Sequence, residues 1–96
     1  MTNFEKATEI AVESIKHDAL MCGVDWNYVS NWNELLEWLG QDSADMKEDI
    51  RFELCRAANM GQFEFCFMDD LSIEDSDGSI KTYRQLTNAI RKQLFA

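Results

Sequence analysis

The sequence predicts a mainly α, α-rich α+β fold of about four helices with one short strand or hairpin. Three observations predict it. The chain has no proline and only four glycines, so long helices are unobstructed. Apolar residues recur at helical spacing in four separate segments. One stretch, residues 62–68, breaks that spacing and alternates instead. At 96 residues and 46% apolar, the composition suits one domain spanning 1–96.

The first helix should run from about Asn3 to Met21. Thr2-Asn3-Phe4-Glu5 reads as a capping box. Phe4, Thr8, Ala11, Val12, Ile15, Ala19 and Cys22 make its inward face, and Gly23 ends it. A loop rich in Asp, Asn and Tyr follows over 23–31. A short helix then spans Trp32 to Leu39, with Trp32, Leu35, Leu36 and Leu39 inward and Gly40 closing it. Asp42 or Ser43 caps a third helix reaching about Met60, with Met46, Ile50, Leu54, Ala57 and Ala58 inward and Gly61 as the stop.

Gln62 to Met68 places three phenylalanines on one face, as a strand does. A lone strand is unstable. Its partner is either Leu71–Ile73, in a hairpin, or a second copy of the chain. Asp69 to Gly78 reads as an acidic loop. Thr82-Tyr83-Arg84-Gln85 is a further capping box, opening a last helix with Tyr83, Leu86, Ile90 and Leu94 inward.

Charge narrows the function. Eighteen acids against nine bases give a net charge of -9. That repels nucleic acid and anionic lipid, so the expected partner is neither, but a protein with a basic surface. Cys22, Cys55 and Cys66 have no paired spacing, which fits a reducing, cytoplasmic setting. The N-terminus carries acids where a signal peptide needs bases, and no run approaches about 20 apolar residues.

The charges are unevenly placed. Residues 1–40 carry seven acids and two bases, residues 41–78 eleven and three, and residues 79–96 four bases and no acid. Glu5, Glu9 and Glu13 repeat at i, i+4, i+8, and so do Asp45, Asp49 and Glu53. Like charges at that spacing cost roughly 0.2–0.5 kcal/mol per pair. Each step advances about 6 Å along the helix axis, of the order of the phosphate spacing in a nucleic-acid strand. Two readings follow: solvated helix faces relieved by interleaved Lys6, Lys16, Lys47, Arg51 and Arg56, or a stripe imitating a phosphate backbone. Asp42, Asp69, Asp70, Glu74, Asp75 and Asp77 would extend the second. The basic last helix (Lys81, Arg84, Arg91, Lys92) suits the helix dipole and offsets the acidic body.

Catalytic and metal chemistry find little support. Asp75 to Ile80 resembles the middle of a calcium loop, but positions 1 and 12 would be Ile73 and Arg84, where acids are needed. An Asp-Gly turn is the simpler account. His17 and the three cysteines form no zinc spacing. His17 is the single histidine, no nucleophile is marked, and no Gly-rich phosphate loop occurs. The expectation is a non-enzyme with no cofactor and no metal.

Trp26, Tyr28, Trp32 and Trp38 crowd one region. Trp38 and Phe52 fall off the inward stripes of their helices. Trp32, Trp38 and Phe52 are therefore candidates for an oligomer interface, the alternative being a second layer of core. An adaptor or interaction module binding through these aromatics is the alternative function.

The run from Asp49-Ile50 through Gly61-Gln62-Phe63-Glu64-Phe65, a helix ending at Gly and leading into an acidic extended segment, resembles the Ocr-type antirestriction proteins of phages. The resemblance continues through the acidic loop to Ile90–Leu94 and covers about the last half of the chain. It implies a homodimeric DNA mimic that blocks restriction or related defence enzymes, a logic that acidic anti-CRISPR proteins share on other folds. The chain departs from that pattern at Arg91-Lys92-Gln93-Leu94-Phe95-Ala96, which is basic where the family ends acidic.

Overall fold

The computed structural model describes residues 1–62 and 71–95. Its order is α1 (Asn3–Met21), a 3-10 turn (Trp26–Tyr28), α2 (Trp32–Leu39), α3 (Ser43–Asn59), β1 (Ile73–Glu74), β2 (Ile80–Lys81) and α4 (Tyr83–Phe95). The protein is mainly helical with a short two-stranded hairpin.

Each helix begins where a side chain can take up free amides. Thr2 and Glu5 form a reciprocal capping box on α1. Asn31 accepts from the Glu34 amide on α2. Asp42 and Asp45 form a second reciprocal box on α3. Thr82 and Gln85 form a third on α4. The ends are equally specific. Gly40 has φ 67°, and the amides of Gly40 and Gln41 donate to the carbonyls of Glu37 and Leu36. That left-handed residue turns the chain into α3 within two further residues. Gly61, at φ 74°, does the same after α3 and leaves Gln62 beside α1.

α1 is the central element: α3, α4 and β1 all pack on it. Ala7, Ala11 and Ala19 keep its inner face small, so neighbouring helices approach closely. Leu35, Leu54, Leu71, Ile73, Leu86 and Ile90 are fully buried and join one continuous core. Burying a side chain of that size contributes about 1.5–3 kcal/mol. Leu71 holds φ 61°, unusual for a side chain with a Cβ, while its side chain is wholly enclosed. The left-handed backbone costs roughly 1–2 kcal/mol, of the size that burial returns.

Four expectations need correction or relocation. The strand expected over 62–68, paired with 71–73 or with a second copy of the chain, falls largely outside the described residues. The strands that are described lie elsewhere, with Ile73 opposite Lys81 and Glu74 opposite Ile80. The segment read as an acidic loop is thus partly a hairpin, because Ile73 and Ile80 flank an Asp-Gly turn that closes it. Cys22, expected on the apolar face of α1, is exposed: it is the C-cap, and the helix has ended before its side chain can reach the core. Trp32, a candidate for an oligomer interface, is only 7% exposed and belongs to the core.

Candidate functional site

α1 and α3 run antiparallel and leave a groove between their polar edges. Its wider part, 570 Å³, is lined by Lys6, Glu9, Ile10, Glu13, Ser14, His17 and Asp18 of α1 and by Glu53, Arg56 and Gln62. Ser14, Asp18 and Glu53 also line an adjoining notch of 380 Å³ with Met21, Cys22, Leu39, Gln41, Asp49 and Phe52. The two therefore form one channel along the helix pair. α4, the basic helix, contributes no lining residue to either.

The fold thus brings parts of the two acidic stripes together. Glu9 and Glu13 come from α1, and Asp49 and Glu53 from α3. Asp18, which sequence spacing did not single out, sits where they meet. Its carboxyl is held above the usual aspartate range, first by burial, then by the negative charge of Asp49, with Glu53 adding to it and His17 opposing it. The partial neutralisers are specific. The Arg56 guanidinium reaches Glu53 at 2.8 Å, and the Gln41 side-chain amide donates to Asp49 at 2.7 Å.

Other predicted acids serve the fold. The Glu5 carboxylate accepts from the Thr2 backbone amide, which, with the Thr2 side chain beside it, holds its carboxyl below the usual glutamate range. Asp42 and Asp45 cap α3. Asp75 is only 8% exposed, and its carboxylate accepts from the Phe4 amide at 3.0 Å. This is a correction: an enclosed carboxylate capping α1 is not free to meet a partner. Asp77 accepts from the Ser79 amide and hydroxyl inside the hairpin turn, and those bonds lower its pKa. Glu74 is exposed on β1, where its carbonyl accepts from the Asn3 side chain. Asp69 and Asp70 lie outside the described residues.

Comparison with protein families, curated proteins and solved structures gives no match. Among the described residues, no group of three or more His, Cys, Asp or Glu side chains is placed to hold a metal ion. Among them, too, no helix is long and apolar enough to cross a membrane.

Two aromatics expected at a contact surface are exposed, Trp38 at 45% and Phe52 at 66%. Phe52 lines the notch. The basic side chains Arg91 and Lys47 lie over the rings of Trp32 and Tyr83 at 5.2 and 5.0 Å, so both stay close to the body of the fold. Sequence spacing missed Asp18 for a geometric reason. The next i+4 step after Glu13 falls on His17, so Asp18, one residue off the stripe, joins the groove only through the packing of α1 against α3.

Proposed function

We propose that this protein is an acidic, non-enzymatic inhibitor that occupies the basic nucleic-acid-binding cleft of another protein, within the cytoplasm of a bacterial host. The observation that carries this reading is the convergence of Glu9, Glu13, Asp18, Asp49 and Glu53 from two helices on one channel. Carboxylates so arranged replace phosphates at the lysines and arginines of the target. Asp18 agrees with it: half-buried beside Asp49 and Glu53, its carboxyl is held above the usual range first by burial and then by the Asp49 charge. Binding of this kind excludes DNA by competition and weakens steeply with salt.

The test is capture from a bacterial lysate on the immobilised protein, followed by identification of what is retained. A retained DNA-binding protein is then placed on labelled duplex DNA, and this protein is added. Release of the DNA, lost with Glu9/Glu13/Glu53→Gln, agrees with the reading. A retained partner that keeps its DNA, or binding unchanged by salt and by the substitutions, rejects it. The second reading, an interaction module working through aromatics, draws on the exposure of Trp38 and Phe52 and predicts that second pattern.

A further inference from the structure

The notch at the α2 side of the channel differs from the rest of it. Met21, Cys22, Leu39 and Phe52 line it, and Met21 and Phe52 are 74% and 66% exposed. No lysine or arginine lines it, and its carboxylates are Asp18, Asp49 and Glu53. An apolar floor beside acids that Arg56 and Gln41 neutralise only in part is not what imitation of a phosphate backbone needs, since the sugar-phosphate backbone offers no equivalent surface. It is what recognition of a protein segment needs.

We infer that this notch docks a basic amphipathic segment of the partner protein, with one Leu, Met or aromatic side chain seated against Met21, Leu39 and Phe52 while neighbouring Lys or Arg side chains reach Asp18, Asp49 and Glu53. The inference rests on the proposed function only for the partner's positive charge; the apolar anchor is additional. Charge complementarity selects this occupant over a second copy of the chain. A twofold contact through the notch would set these carboxylates against their own copies. The chain's one basic stretch, α4, cannot serve either, because its apolar residues Leu86 and Ile90 are already in the core.

The anchor also fixes how binding responds to salt. An electrostatic contact fades as salt rises, whereas apolar burial does not. A partner held both ways keeps residual affinity at high ionic strength.

Two labelled peptides of about 14 residues, some four helical turns, and of equal charge test this by fluorescence anisotropy. One is a Leu/Lys amphipathic helix and the other its Ser/Lys counterpart. The Leu/Lys peptide is expected to bind at least about tenfold more tightly, as burial of one leucine-sized side chain gives. Phe52→Ser and Met21→Ser should each erase most of that advantage and leave Ser/Lys binding unchanged. Both side chains are exposed, so both variants should fold. Equal binding of the two peptides overturns the inference and leaves the proposed function standing. An advantage that survives both substitutions overturns it by placing the contact elsewhere. Failure of both peptides to bind rejects the acidic channel as well. A dimer in sedimentation velocity that Phe52→Ser abolishes gives the notch to a second copy and overturns the inference too.

Discussion

The two ends of the acidic surface are built from the same residue types and do different work. At the start of α1, Glu5 and Asp75 each satisfy backbone amides. Their charge is consumed by the helix terminus, where anions are favoured. In the channel between α1 and α3, Glu9, Glu13, Asp18, Asp49 and Glu53 meet few such donors, and Asp18 is held in its less favourable charged form. The lesson is that acid spacing along a helix does not separate capping from recognition. What separates them is whether a carboxylate faces amides or other carboxylates.

Substitutions at the two ends should therefore move stability in opposite directions. The largest effect is expected at Asp75, whose removal leaves the Phe4 amide without its acceptor beneath the hairpin. Asp75→Ala should lose about 2 kcal/mol in urea denaturation, in the range for a hydrogen bond to a charged group. An unchanged midpoint would mean the cap is dispensable. Next is Asp42→Ala, which removes the capping box of α3 and should cost about 1 kcal/mol by the same measurement.

The channel acids should do the reverse. Glu9→Gln and Glu13→Gln relieve a like-charge pair and should leave stability unchanged or raise it by about 0.2–0.5 kcal/mol. A clear loss of stability in either would make these residues structural and erase the contrast.

The smallest effect is the most diagnostic, because its sign depends on pH. Glu5 has a folded pKa below its ordinary 4.5, so its stabilisation is present above that value and is lost as pH falls through the folded pKa. Asp18 has a folded pKa above its ordinary 3.8, so its penalty is present at neutral pH and is relieved as pH falls through the folded pKa. Asp18→Asn should therefore be the more stable protein at neutral pH, by a few tenths of a kcal/mol after solvent screening, with the gain vanishing in acid. Glu5→Gln should be less stable at neutral pH, and its deficit should likewise vanish in acid. Matching signs at neutral pH would dissolve the distinction between the two ends.

The helices were legible because caps, glycines and periodicity agree. Thr2 with Glu5, Asp42 with Asp45, and Gly40 mark boundaries that local chemistry dictates. Of the hairpin, only the Asp-Gly turn and Ile73, as the end of a candidate strand at Leu71–Ile73, are legible, since strands of two residues, Ile73–Glu74 and Ile80–Lys81, carry too little alternation to register. Half the site was legible in the same way. Glu9, Glu13, Asp49 and Glu53 stand out by spacing. Phe52 stands out as an aromatic off its helix's inward stripe, but Asp18, Met21 and Leu39 do not, and only packing joins them to it. The capping role of Asp75 was hidden for a related reason: its partner, Phe4, is 71 residues away in sequence.

The central claim is that the channel carboxylates, and not net charge alone, recognise a basic partner. Binding of the Ser/Lys peptide by two equal-charge variants tests it most directly. Glu13/Glu53→Gln removes two channel acids, and Glu37/Glu48→Gln removes two that line neither part of the channel. The account predicts a loss of about fivefold or more for the first and less than about twofold for the second, as pairwise charge contacts of this kind imply. Equal losses from the two variants would contradict it and leave the acidity of this protein as a matter of total charge.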